Sequence, residues 1–221
     1  MHIGIIPDGN RRWCKNNNMK LNNIIEKWMN LITNNIEIIL DAINNKWNAQ
    51  LQNLSFIDEV SIYLFTIDNL GREDDTMHSI YKFIERVDSL KSTLKESIIQ
   101  AISRYVNLNI VGHTACLPQN IQDIINNAEK TLNGKYTLTI GLAYDPKKDI
   151  HNIIMNKCKR NQSDIDLVIR SGGEYRSSGF FPYHTMYSEY VFLDKLWPDI
   201  QLSDISDAIE TYKKRQRRFG K

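Results

Sequence analysis

The chain has 221 residues, 42% of them hydrophobic, enough apolar side chain to bury a sizeable core, and a single domain over residues 1–221 is expected. Its 28 Lys and Arg stand against 26 Asp and Glu, so a net charge of +2 gives no basis for nucleic-acid binding through bulk charge. Cys14, Cys116 and Cys158 form no metal-ligand or CxxC pattern, no apolar run approaches about 18 residues, and MHIGIIPDGN lacks the features of a secretory signal; a reduced, cytoplasmic protein is expected.

The first strand is expected at HIGII, residues 2–6, running into IIPDGNRRW. There an acid, a glycine, an amide and two guanidinium groups stand at the carboxyl end of a strand, where parallel α/β sheets bind ligands. Asp8 suits a hard cation and Gly9 a close backbone approach to phosphate, although the same letters also make an ordinary Asp-Gly turn. From Leu21 to Trp47, Ile24, Ile25, Trp28, Leu31, Ile32, Ile36 and Ile39 recur at helical spacing, followed by a polar connection to Asp58.

A second strand is expected at VSIYLF from Val60, leading into TIDNLGRED. Thr66, Asn69 and Arg72 are hydrogen-bonding groups in that loop, and Glu73-Asp74 suits the start of a helix, so a capped loop is the plainer reading. That helix is expected over Asp74–Arg104, with Ile80, Phe83, Ile84, Val87, Leu90, Leu94 and Ile98 on one face. Strands at LNIV from Leu108, TLTIGL from Thr137 and DLVI from Asp166 alternate with helices over Ile121–Leu132, Asp149–Cys158 and Asp204–Lys214, the last capped by Ser203. This alternation predicts βα units around a mainly parallel sheet.

The strand at Asp166 ends at Arg170, followed by Gly172, Gly173, Arg176, Ser177 and Ser178. Two arginines with hydroxyls and free backbone suit a diphosphate, and equally a solvated loop. Glu189 lies among Tyr187, Tyr190, Val191 and Phe192, where a metal ion or an arginine would offset the cost of burying its carboxylate. No Walker loop, GxGxxG, GxSxG or HExxH is present, which disfavours common nucleotide folds, serine hydrolysis and zinc catalysis. The tail KKRQRRFGK, residues 213–221, reads by itself as a solvated basic end.

In order, HIGIIPDGNRRW, YLFTIDNLGR, DLVIRSGGEYRSSGFF, YSEYVFLDKLWPD and RQRRFG resemble the cis-prenyltransferases, the undecaprenyl and dehydrodolichyl diphosphate synthase family, over nearly the whole chain. The resemblance implies an α/β fold with a six-stranded, mostly parallel sheet flanked by helices and an apolar tunnel. It implies a Mg2+-dependent transferase of isoprenoid biosynthesis, condensing isopentenyl diphosphate with an allylic diphosphate such as farnesyl or geranyl diphosphate to a Z-polyprenyl diphosphate. By position, Asp8 is implied as catalytic and metal-binding, with Glu189 as the second metal residue. Gly9, Asn10, Arg11, Arg12 and Trp13 are implied at the allylic diphosphate, and Arg170, Arg176, Ser177 and Ser178 at isopentenyl diphosphate. Asn69 is implied in proton removal or its relay, beside Thr66 and Arg72, while Arg218 and Gly220 are implied to reach across a homodimer to the partner's isopentenyl site.

The sequence departs from the family pattern in places. A Gly-His element is missing between Trp13 and Lys27, leaving Lys15 or Lys20 as substitutes, and Tyr175 and Gly179 stand within the diphosphate loop. Leu64 stands where long-chain enzymes commonly carry Ala, which implies a short or medium product. Peripheral membrane contact for product release and no nucleic-acid partner are expected. The alternative is a non-catalytic partner subunit of a heteromeric cis-prenyltransferase, although such partners usually lose the acid and arginines retained here.

Overall fold

The computed structural model describes residues 1–21, 23–24, 57–71, 76–93, 106–131, 136–155 and 163–217. Its strands are β1 (His2–Ile6), β2 (Glu59–Tyr63), β3 (Val106–Val111), β4 (Tyr136–Gly141), β5 (Leu167–Arg170) and β6 (Glu189–Phe192). They form one six-stranded sheet in the order β3-β4-β2-β1-β5-β6, and every pairing is parallel. β6 is the strand that aliphatic patterning alone did not separate, being four residues long and headed by a carboxylate.

The helices are α1 (Asn10–Asn16), α2 (Thr76–Thr93), α3 (Gln119–Thr131), α4 (Pro146–Ile154) and α5 (Leu202–Lys213). Apart from its first few positions, the helix expected over Leu21–Trp47 lies outside the described residues, as does the continuation of α2 towards Arg104. Two helix starts differ from expectation for local reasons. Asp145 caps α4 by accepting the Lys147 and Lys148 amides, with Pro146 in the first turn, so the helix opens three residues before Asp149. α5 opens at Leu202, before Ser203, because Asp204 Oδ2 accepts the Gln201 amide at 2.8 Å.

Both faces of an all-parallel sheet must be covered. On one face, α5 lays Ala208 and Ile209 against Ile3, Leu167, Ile169 and Val191. On the other, Phe180, Phe181 and Tyr144 pack over Ile6 and Val168, the Phe180 and Phe181 rings meeting edge-on at 4.9 Å. Ile121 and Ile125 of α3 and Met77 of α2 close over Phe65 and Leu142. Each fully buried aliphatic or aromatic side chain contributes about 1.5–3 kcal/mol, so these layers hold the carboxyl strand ends rigid beneath the loops that follow.

Candidate active site

Three strand exits converge on a cavity of about 750 Å³: the β1–α1 turn, the residues that follow β2 and the loop after β5. The β1 exit is short because α1 begins at Asn10, so the segment first read as a loop is already helical. Gly9 makes the bend with φ +103°, and a Cβ there would lie 2.7 Å from Leu196 Cδ2. Ser171 ties this exit to β5, accepting the Asp8 amide at 3.0 Å and donating to the Asp8 carbonyl at 2.8 Å.

Asp8 and Arg170 form the centre. Arg170 is 3% exposed and donates to Asp8 Oδ2 at 2.8 Å, to Ser178 Oγ at 2.9 Å and to the Arg176 carbonyl. Its Nε is buried with no partner among the described residues. Asp8 Oδ1 accepts the Gly9 amide at 2.6 Å and has Arg12 Nη2 at 3.5 Å. Burial pushes the Asp8 carboxyl up, but the Arg170 hydrogen bond, the Gly9 amide and the charges of Arg170 and Arg12 outweigh it and hold the group below its ordinary pKa. Asp8 is therefore a carboxylate at neutral pH.

Glu174 bridges two further cations, with Arg12 Nη1 at 3.5 Å and Arg176 hydrogen-bonded to its other oxygen. The loop closes this tightly because Gly172, at φ +92°, carries no Cβ; one would fall 2.7 Å from Arg12 Nη2 and 3.1 Å from the Asp8 carbonyl carbon. Beyond this charged end the cavity wall turns apolar, with Leu21, Ile24, Leu64, Phe65, Ile80 and Phe83. The site thus joins a cation-rich mouth to a greasy interior, a shape and polarity for an anionic head on an apolar tail.

A magnesium ion fits the donor set at Asp8. Mg2+ commonly takes one or two carboxylates, several waters and substrate phosphate oxygens, and Asp8 offers an ionised carboxylate at the mouth. No cluster of three or more His, Cys, Asp or Glu capable of holding a metal occurs among the described residues.

The family model Prenyltransf, undecaprenyl diphosphate synthase, matches residues 6–220. The chain belongs to the undecaprenyl diphosphate synthase family of cis-prenyltransferases. It is 31% identical over 246 residues to the tritrans,polycis-undecaprenyl-diphosphate synthase (geranylgeranyl-diphosphate specific) of Sulfurisphaera tokodaii, covering 99% of this chain and 87% of that protein. To the isoprenyl transferase of Rickettsia typhi it is 30% identical over 239 residues, covering 100% and 97%. Lavandulyl diphosphate synthase from Lavandula x intermedia, solved with dimethylallyl diphosphate, has the same fold at TM-score 0.70 and 21% identity, covering 100% of this chain and 98% of that one. The homology makes this chain a prenyl-transferring enzyme.

Within the prenyltransferase, Asp8, Gly9, Asn10, Arg11, Arg12, Thr66, Asn69, Arg170, Arg176 and Ser178 all line the cavity. Asn10 donates to the Pro7 carbonyl at 3.0 Å, while its Oδ1 is buried with no partner among the described residues. Asn69, implied in proton removal or its relay, is tied to its own loop. Its Oδ1 accepts the Thr66 amide at 2.9 Å and the Thr66 hydroxyl at 3.3 Å, which leaves the amide NH2 as the group with hydrogen-bonding capacity.

Three expected residues lie elsewhere. Trp13 is buried with Cys14 and Ile24 and donates to Asp199 at 2.7 Å, so it pins α1 to the segment after β6 and does not line the cavity. Ser177 is exposed and likewise stands off the cavity. Glu189 begins β6 opposite Leu167, whereas Arg170 lies opposite Phe192, so Glu189 sits at the other end of the strands from Asp8. Its carboxylate pairs with Arg215 at 2.8 Å. Arg72, Arg218 and Gly220 lie outside the described residues. Glu174 and Tyr63 line the cavity without having been singled out by sequence; strand alternation marks Tyr63, since it ends β2 as Arg170 ends β5.

Proposed function

We propose that the chain, acting as one domain, condenses isopentenyl diphosphate with an allylic diphosphate to a Z-polyprenyl diphosphate, with Mg2+, as a homodimer. The observation that carries this reading is the single cavity joining the Asp8–Arg170 centre to the apolar wall of Leu21, Ile24, Leu64, Ile80 and Phe83. An isoprenoid diphosphate has that same division of charge and hydrocarbon.

Magnesium bound at Asp8 would neutralise diphosphate charge as it develops on the leaving group. Arg11 and Arg12 hold the allylic diphosphate, and Arg170, Arg176 and Ser178 hold isopentenyl diphosphate. Because Arg170 is fixed by Asp8 and Ser178 before substrate arrives, its charge needs no reorganisation during the reaction. The allylic C–O bond breaks, the diphosphate leaves with the electron pair, and the terminal alkene carbon of isopentenyl diphosphate bonds to the allylic carbon. An oxygen of the departed diphosphate takes the C2 proton, forming the new double bond, with Asn69 orienting the reacting groups through its NH2. Alignment of two bound diphosphates supplies much of the rate.

The homodimer reading rests on the resemblance of Arg218 and Gly220 to residues that, in this family, reach across a dimer to the partner's isopentenyl site. Within this chain Arg217 pairs with Asp166, whose other oxygen accepts the His2 amide, so the residue just before them is anchored where β1 begins.

The test is product formation by the purified chain with labelled isopentenyl diphosphate, magnesium and farnesyl, geranyl or geranylgeranyl diphosphate. No product alone, with activity restored by a second chain, overturns the reading in favour of a partner subunit. Extension of farnesyl diphosphate by about ten units or more overturns the limit assigned to Leu64, which occupies the cavity wall.

A further inference from the structure

Tyr63 closes β2 on the same face of the sheet as Arg170. Ile62 stands opposite Ile5, and Arg170 opposite Ile6, so one step on, Tyr63, Ile6 and Arg170 form a row. Side chains in one row of a sheet share a face, and two strand spacings separate the Tyr63 and Arg170 backbones by roughly 9.5 Å. The ring meets Phe180 edge-on with centroids 5.2 Å apart, and the Tyr63 Cβ lies in space left by Gly141, where a Cβ would come within 2.7 Å of it.

The hydroxyl, in contrast, makes no hydrogen bond to any described residue, while the side chain lines the cavity. The charged groups that act on it are Arg170, Asp8 and Arg176. Burial raises the phenol above its ordinary pKa, Arg170 and Arg176 opposing and Asp8 adding to that rise, so the group is an O–H donor at neutral pH. Guanidinium groups accept no hydrogen bonds. An anion between them satisfies the phenol and both arginines together.

We propose that the Tyr63 hydroxyl donates a hydrogen bond to the diphosphate held by Arg170 and Arg176, which makes Tyr63 a substrate-binding residue additional to the arginines. This rests on the diphosphate reading given above. A neutral donor contributes there without adding positive charge, and the fixed ring places it without ordering a long side chain.

The test is Tyr63→Phe, which keeps the ring and its contact with Phe180. Inorganic pyrophosphate is titrated calorimetrically into wild type and variant, and KM for isopentenyl diphosphate is measured in both. Loss of one hydrogen bond to a charged group predicts pyrophosphate binding about tenfold weaker and KM about tenfold higher, with kcat within about twofold. Equal pyrophosphate affinity and equal KM in the two proteins overturn the assignment of Tyr63. Wild type that binds no pyrophosphate overturns the diphosphate reading itself, and Tyr63 with it.

Discussion

Asp8→Asn tests whether the centre of the site is an electrostatic pair, a chemical group, or both. Arg170 is 3% exposed, and besides Asp8 it donates to a hydroxyl and a carbonyl, neither of which carries charge. Removing one partner of a fully buried pair costs about 3–5 kcal/mol. Asp8 is 31% exposed, so water relieves part of that loss and about 2 kcal/mol is expected. For a chain of this length, that lowers Tm by roughly 4–8 °C. Saturating inorganic pyrophosphate returns negative charge to Arg170 and should raise Tm further in the variant than in wild type. Calorimetric melts with and without pyrophosphate, beside product formation, give both readouts. A variant melting within about 1 °C of wild type refutes the pairing argument, since even 1 kcal/mol moves Tm by about 2–4 °C. A destabilised variant with full turnover refutes Asp8 as a reacting-site residue.

Gly172→Ala adds about 1–2 kcal/mol of left-handed strain and drives a Cβ against the Asp8 backbone, so kcat/KM should fall about 100-fold while Gly71→Ala, with open space around it, stays near wild type. Equal activity of the two variants contradicts this. Lys15 lines the cavity and makes no side-chain ion pair among the described residues, whereas Lys20 does not line it; Lys15→Ala should raise KM for the allylic diphosphate about fivefold and Lys20→Ala should not. Matching KM values for the two variants would remove Lys15 from the site. Burial lowers the pKa of His2, with Glu59 and the Ser163 carbonyl opposing, so the unfolded chain takes up the proton first. The stability of neutral His2 is complete above about pH 6.5 and declines as pH falls below it. The urea midpoint should therefore drop between about pH 7.5 and about pH 5.5, and His2→Gln should flatten that slope; parallel slopes in both proteins would contradict it.

The parts of the molecule legible in its sequence are those written in short-range pattern. HIGII and DLVIR are aliphatic runs that stop at polar residues, and both strands end there, Ile6 level with Arg170. Asp8 is legible as a residue type suited to a hard cation, Arg170 and Ser178 as types suited to diphosphate, and the ordered motifs carry the family resemblance. What escaped depends on partners far along the chain. Glu189 finds its counter-charge in Arg215, 26 positions later, a partner that its own surroundings in sequence do not name. Glu174 reads as a loop acid, and only the approach of α1 makes it a bridge between Arg12 and Arg176. Trp13 belongs to a motif that surrounds substrate, yet its indole is committed to Asp199, 186 positions away. Asp-Gly-Asn reads as a turn because turn and helix start share residue types, and Leu196 packing on Gly9 accompanies the helical outcome.

β6 is the outer strand of the sheet, and its alternate residues turn their backbone groups away from β5. Glu189 and Leu193 donate inward to Asp166 and Arg170, whereas the Tyr190 carbonyl receives Arg215 at 2.8 Å. Arg217 takes the Tyr187 carbonyl just before the strand at 3.1 Å. Two guanidinium groups, each held by a carboxylate, thus occupy acceptors that an unpaired edge would offer to an incoming strand. The arm that ties the end of α5 to the sheet also works against edge-to-edge aggregation, a hazard that a short parallel border would otherwise carry.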